Sequence, residues 1–486
     1  CRHGRPARLG APGRTGGRSC DGRHGRGPCV PGHGIVRIVR PRRDSAVADR
    51  VLPGGREDFL SASRLRAAFL FLVIAAPVRA DLWSSGNLLT PAERREEIRL
   101  KEARLEALMV ARGLDGILLT KARNHAWLLA GSRTWIVGAQ AESPVWLLLA
   151  RGSTGTVAVP SGSAQAGKRY LVASNMEGPR LMAEEGLRGL GWTERRYPWF
   201  GGAGGTQDPR RRIVDDVMPR AKLGCDGPVA GTEDIGADLS RIRFPLTATE
   251  MRRMRWLGGR SGAAVAAVCR EIAPGMRETE IGNLLAAKLA REGLSPTVIL
   301  VGVDGRLESF RHLVPTDEKL KRLALVNLCA EKWGLVVAVS RLVHFGPLPA
   351  DLAARMQACA TVDATYLRGA RPGSTFGGIL AEGAEAYAAM GWAEEWRNHH
   401  QGGSIGYLER ESLLVPDSAE TVVEGMALAF NPTLPGVKIE DTILVGPHGP
   451  EIMTRVEGWP VRRVVLDGAI WELPDILVRP AGAGSR

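Results

Sequence analysis

The sequence predicts two tandem domains, an α/β domain followed by a second domain that opens on long helices and continues in strands. Three observations carry this expectation. At 486 residues, with 44% hydrophobic and 24% charged residues, the chain can hold two or three domains and has an ordinary globular composition. Between residues 90 and 160 helical and strand patterns alternate, the mark of an α/β layer. From residue 247 a capped helix opens a second series, which places the domain boundary near residue 245.

Thr90-Pro91 supplies an N-cap and a first-turn proline, with Glu93, Glu96 and Glu97 close behind. Ile98, Leu105, Leu108 and Met109 then recur at helical spacing until Gly113 ends the run. DGILLT (115–120), HAWLLAG (125–131), WLLLA (146–150) and TVAVP (156–160) read as short apolar strands. The stretch 199–212, WFGGAGGTQDPRRR, reads as a flexible connector. Thr247 and Glu250 form a capping box, and the helix they open stops at Pro274-Gly275. A further helix runs from about Glu278 to Gly293. Strands are expected at 298–301, 324–328, 335–339, 427–431 and 442–445. The domains are therefore expected at 85–245 and 246–458, with a C-terminal extension at 459–486.

The net charge of +13 is unevenly spread. Residues 1–60 hold thirteen Arg, no Lys and five acids, contributing +8 and leaving +5 for the other 426 residues. Arg and Gly without interleaved aromatics form no nucleic-acid module, so nucleic acid is not an expected partner. Residues 1–62 lack apolar periodicity and read as a disordered or upstream-translated segment. Residues 63–80 combine arginines, a short apolar run and small residues at Val78-Arg79-Ala80, the three parts of a secretory signal. With that signal the chain is exported, to periplasm or exterior; without it the chain is expected in the cytoplasm. The run is too short to span a bilayer, and no later segment looks transmembrane. Cys225, Cys269, Cys329 and Cys359 are dispersed and read as buried thiols, with no Cys/His cluster of the zinc type.

Five blocks carry a family resemblance. They are LEALMVARGLDGILLTKARNHAWLLAG, LTATEMRRMRWLGGRSGAAVAAVCREIAPGMRETEIGNLLAAKLAREG, LALVNLCAEKWGLVVAVSRLVHFG, HHQGGSIGYLERE and GMALAFNPTLPGVKIEDTILV. In this order they resemble the creatinase, aminopeptidase P and prolidase family over about residues 90–455. The resemblance implies a creatinase-like α/β N-terminal domain and an α+β "pita-bread" C-terminal domain. It also implies a homodimer, since that is common among relatives with this N-terminal domain.

Metal-using members of that family hold two divalent ions with Asp, Asp, His, Glu and Glu, hard anionic donors that bridge cations and a water. Carried over position by position, these fall on Asn327, Ala338, Gly403, Asn431 and Glu440. Only Glu440 survives. Neutral amides cannot offset two close cations, so no cofactor or metal is expected.

His312, in SFRHLVPTDEKL, resembles the position where creatinase, a metal-free member, keeps its catalytic histidine. Imidazole suits that role because it takes and gives a proton near neutrality. A histidine bonded at a strand–turn junction is the structural alternative. His399 and His400 precede Gln401-Gly402-Gly403; on a strand they would face opposite ways, so one at most enters the cleft. Glu440 is the polar partner in this scheme and Asp441 its support. Arg410 has the planar fork that binds a carboxylate, although a surface pair with Glu409 would explain both residues. Gln401 and His344 complete the candidate substrate-binding set.

Three functions follow, and the sequence leaves all three open. The first is a metal-independent hydrolase of C–N bonds in the manner of creatinase, acting on a small molecule or peptide. The second is a non-catalytic member that uses the cleft to bind a ligand or protein. The third is a metal-dependent Xaa-Pro peptidase.

Overall fold

The computed structural model describes residues 88–136, 138, 141–152, 169–202 and 208–481. The segment 1–62, the signal at 63–80 and the strand expected at 156–160 lie outside the described residues.

The first domain begins with α1 (Pro91–Arg112), set by a reciprocal cap. Glu93 N–H donates to the Thr90 hydroxyl, and Thr90 N–H donates to the Glu93 carboxylate at 2.8 Å. There follow β1 (Gly116–Lys121), α2 (Ala122–Leu128), β2 (Glu142–Ala150), β3 (Arg169–Ser174), α3 (Gly178–Ala183), β4 (Thr193–Tyr197), α4 (Pro209–Val217), β5 (Leu223–Cys225), β6 (Glu233–Asp234) and α5 (Gly236–Arg243). The strands form one mixed sheet in the order β4-β3-β2-β1-β5-β6. HAWLLAG, expected as a strand, begins inside α2 instead. His125, Ala126, Trp127 and Leu128 are all buried, and a run apolar on every side carries no period that separates helix from strand.

The second domain opens with α6 (Ala248–Glu271), capped by Thr247 and Glu250, and α7 (Glu278–Arg291). Next come β7 (Ser295–Val303), α8 (Arg306–Ser309), β8 (Leu323–Lys332) and β9 (Leu335–Phe345). A second helix pair follows, α9 (Ala350–Gly369) and α10 (Phe376–Ala389). The remaining strands are β10 (Gly402–Ser404), β11 (Ser412–Leu413), β12 (Ala427–Phe430), β13 (Thr433–Leu434), β14 (Val437–Lys438), β15 (Asp441–Gly446), β16 (Gly449–Ile452), β17 (Val461–Leu466), β18 (Ala469–Pro474) and β19 (Leu477–Arg479). Among the described residues these form two larger sheets, β19-β9-β8-β7 and β11-β10-β12-β15-β16, and two hairpins, β13-β14 and β17-β18. The two larger sheets are the ones that frame the site. They meet where Ser340 N–H donates to the Glu440 carbonyl at 2.9 Å. Within the expected extension, β19 joins the sheet by running parallel to β9, β17 and β18 form a separate hairpin, and Val464, Leu473 and Ile476 are buried.

One apolar cluster runs from the first domain (Leu105, Trp127) through α6 and α7 (Leu257, Val268, Leu285) to Val326 and Val339 on β8 and β9. Leu325 and Leu342, which point the other way, join a second cluster with Tyr366, Phe376, Phe430 and Ile443. Strand alternation thus sends β8 and β9 into both cores.

A fully buried charge network stitches the first domain to α6. Glu97 accepts from Lys101 at 2.5 Å and from Arg253 at 2.5 Å, and Lys101 reaches Glu250 at 2.7 Å. Tyr407 donates to Glu250 at 2.5 Å, and Arg253 donates to the Ala130 carbonyl at 2.9 Å. Two cations face two anions with no exposure, so removal of one partner strands a buried charge. Arg253→Met is expected to lower unfolding free energy by about 3–5 kcal/mol in urea titrations. A loss below about 1 kcal/mol, the range of exposed pairs, would contradict this role.

Candidate functional site

The site lies where the two sheets meet. Glu440 sits between β14 and β15, beside Ser340 of β9, and is buried. Its Oε1 accepts from Arg410 at 2.7 Å. Its Oε2 accepts from Asn327 Nδ2 at 2.7 Å and from Lys438 Nζ at 2.9 Å. Lys438 also donates to Asn327 Oδ1 at 3.1 Å. Burial alone would raise the Glu440 carboxyl, but the charges of Lys438 and Arg410 overcome it and hold the group at about 2.

Beside this centre three imidazoles meet. The rings of His399 and His400 lie 4.5 Å apart, with His312 at 5.3 Å from the first and 6.1 Å from the second. One nitrogen from each residue lies within 4.8 Å of the other two. His399 is packed away, His400 half-buried and His312 exposed. Burial, then Lys438, pushes His399 down to about 2; burial, then Arg410, pushes His400 down to about 4. His312 is lowered as well, by burial and then by Lys438. All three are therefore neutral at pH 7. The opposite-face expectation for His399 and His400 fails because β10 starts only at Gly402. The pair leaves a 3₁₀ turn (Glu395–Asn398) through a bend at His399 and lies on no strand, and its two rings come together.

The other expected residues fare differently. Gln401 is saturated: its Oε1 accepts from Tyr387 at 3.0 Å and Tyr366 at 3.2 Å, and its Nε2 donates to the carbonyls of His399 (2.6 Å) and Trp396 (3.1 Å). It positions the histidine loop and has nothing left for a substrate. His344 is buried near the end of β9, bonded to the Gly346 carbonyl at 3.1 Å. It is four strand residues, roughly 13 Å, beyond Ser340, and is no part of the site. Arg410 forms no surface pair with the Glu409 side chain; it donates to the Glu409 carbonyl at 2.6 Å and turns its fork to Glu440. The Glu409 carboxylate stays at the half-exposed rim. Asp441 accepts from Arg341 at 2.9 Å and Thr454 at 2.5 Å, behind the site.

Lys438 is the residue that sequence reasoning missed. The signal was present in KIED, because a residue two positions before a strand carboxylate shares its face. Reading that stretch for anionic ligands alone passed over the cation beside them.

A two-cation centre does not fit these residues. An ammonium stands within 2.9 Å of the remaining carboxylate. Ala338 has no donor side chain, and its backbone N–H and carbonyl are both bonded to the Thr442 hydroxyl. A Cβ on Gly403 would lie 2.0 Å from the Ser412 carbonyl oxygen, and one on Gly402 2.1 Å from that of Ala429. No histidine can be placed at 403 without moving β11. Asn431 offers a buried Oδ1 with no hydrogen-bond partner among the described residues, but it carries no charge.

Two measurements follow. Lys438→Met leaves Glu440 with Arg410 alone as counter-ion and is expected to cost about 3 kcal/mol, read by thermal and urea unfolding; an unchanged midpoint would sink the pairing. The second concerns acid. His399 and His400 titrate below the unfolded value of 6.5, so the unfolded chain takes protons first as pH falls. Stability is complete above about 6.5 and declines through about 4 for His400 and on toward about 2 for His399. Glu440 acts in the same direction between its ordinary 4.5 and about 2. His399→Gln and His400→Gln should each flatten the melting temperature between pH 6.5 and 4. Profiles parallel to that of the parent would count against buried neutral imidazoles.

Comparison with known proteins agrees with this architecture. The profile of Metallopeptidase family M24 matches residues 252–447. The "Probable dipeptidase PepE" of Mycobacterium tuberculosis is 24% identical over 284 residues, covering 55% of this chain and 74% of that protein. The crystal structure of dipeptidase PepE from Mycobacterium ulcerans superposes with a TM-score of 0.61 at 19% identity, over 79% of this chain and 99% of that one. Xaa-Pro dipeptidase from Bacillus anthracis gives 0.60 at 19% identity, over 79% and 100%. With two sheets meeting at Glu440 beneath paired helices, the chain has the pita-bread fold, and its residues 252–447 match the model of Metallopeptidase family M24.

Proposed function

We propose that the chain is a C–N bond hydrolase working without the family's two-metal centre, with the His312 imidazole as base. The observation that carries this reading is Lys438, whose ammonium lies 2.9 Å from Glu440 and 3.1 Å from Asn327. In a metal peptidase the ions supply a Lewis acid and a hydroxide. Here a tethered cation and a neutral base supply the same two functions. Two Lys438 N–H bonds are directed at Asn327 and Glu440; the third has no acceptor among the described residues and is available to an oxygen that gains negative charge. His312 takes a proton from water as the water oxygen attacks the C–N carbon. The imidazolium then returns that proton to the leaving nitrogen as the C–N bond breaks. Small molecules and peptides with a planar C–N group are the substrate class. The printed names of the relatives, dipeptidase and Xaa-Pro dipeptidase, favour peptides.

The test is a rate measurement on a panel of amides and dipeptides, with and without manganese. His312→Asn should lower kcat by about 10²–10⁴ with little change in KM. The parent's rate should fall as pH drops below 6.5, since the base titrates below its ordinary value. Manganese should leave the rate unchanged. Equal rates for parent and variant would remove His312 from the reaction. No turnover, with a ligand still held in the cleft, would make the protein a binding member of the family.

A further inference from the structure

We propose that His312, His399 and His400 form a binding site for one borderline divalent cation of the zinc or copper type. None of the three occupies one of the five positions where the resemblance places the family's metal ligands, so this site is separate from the two-metal centre.

The geometry is that of an open three-coordinate cup. One ring nitrogen from each histidine lies within 4.8 Å of the others. Nitrogens at about 2.0–2.1 Å from one tetrahedral ion are about 3.3 Å apart, so side-chain rotations of about an ångström close the cup around an ion. His399 Nε2 and His400 Nδ1 are buried with no hydrogen-bond partner among the described residues. Such atoms are costly to leave unmatched, and a ligand would satisfy both. The opposite nitrogen of His399, Nδ1, lies 3.4 Å from the Thr433 hydroxyl. That contact presents the Nε2 lone pair to the cup, the role outer partners play for metal-bound histidines. Thr433 N–H is itself fixed to the Tyr387 hydroxyl at 3.0 Å, and the His399 carbonyl to Gln401 at 2.6 Å, so the loop is held before any ion arrives. Exposed His312 leaves an entry side and an open fourth position.

The donor set selects the ion. Three neutral imidazoles with no carboxylate favour zinc, copper or nickel over magnesium, calcium or manganese. Lys438 and Arg410 against Glu440 leave one positive charge beside the cup, which weakens every cation. It weakens hard ions most, because their binding is mainly electrostatic. A bound ion would take the lone pair that His312 needs as a base, so zinc should inhibit; this consequence alone rests on the hydrolytic reading.

The test is titration calorimetry of the full chain with zinc chloride and no substrate. The parent should bind one equivalent that His312→Ala and His399→Ala each weaken by more than about 100-fold, exceeding the loss typical of outer partners. Manganese should not displace it. Cobalt at the same site should show the intense visible bands of a four-coordinate ion. His312 is exposed, so its alanine variant tests the site in a chain expected to fold, which circular dichroism checks. No zinc binding, or an isotherm unchanged in both variants, overturns the proposal. Absence of turnover in the metal-free chain would refute the hydrolase reading and leave the isotherm to decide the site.

Discussion

A single buried carboxylate held between two fixed cations governs the centre of this molecule. Glu440 lies at the contact of two sheets, where an unpaired charge would cost several kcal/mol. In a two-metal centre several carboxylates gather around mobile ions. Here the arrangement is inverted: Lys438 and Arg410, both covalently part of the chain, gather around one carboxylate. The surroundings follow from that inversion. The same cations, added to burial, keep the neighbouring imidazoles neutral.

The frame that holds this centre rests on a second set of buried charges. Glu97, Lys101, Glu250 and Arg253 fasten the first domain to α6, inside an apolar cluster that continues to β8 and β9. The site therefore hangs between two cores, and its backbone has little freedom. At β10, Gly402 and Gly403 pack so tightly on their neighbours that a side chain at either position would displace a strand. A histidine at 403 is thus excluded by backbone packing, and a single substitution cannot introduce one without moving a strand.

The architecture is shared with proteins whose sequences differ widely from this one. A TM-score of 0.61 at 19% identity shows how far the pita-bread layers persist when side chains change. Sheets and helix pairs are specified by patterning that many sequences satisfy, whereas a metal centre needs a few donors at fixed points.

The sequence by itself determined the scaffold. The capping boxes at Thr90 and Thr247, the helical spacing after each and the apolar strand runs are local signals, and they placed α1, α6, α7 and five second-domain strands, β7, β8, β9, β12 and β15. It also carried the expectation that the family's ligand positions fall on Asn327, Ala338, Gly403 and Asn431, because residue identity at a motif position needs no coordinates. HAWLLAG was misread because a segment buried on all sides carries no period. Only the tertiary structure decided which side chains meet. His312 lies some ninety residues before His399 and His400, and nothing local says that a 3₁₀ turn directs both of the latter at it. Nor could spacing show that Gln401 spends every hydrogen bond inside the protein, or that His344 bonds to the Gly346 carbonyl four residues along β9 from Ser340. The partnership of Lys438 with Asn327 spans 111 positions. Contacts of that range are made by packing two cores against one pair of strands, and packing is a property of the whole chain.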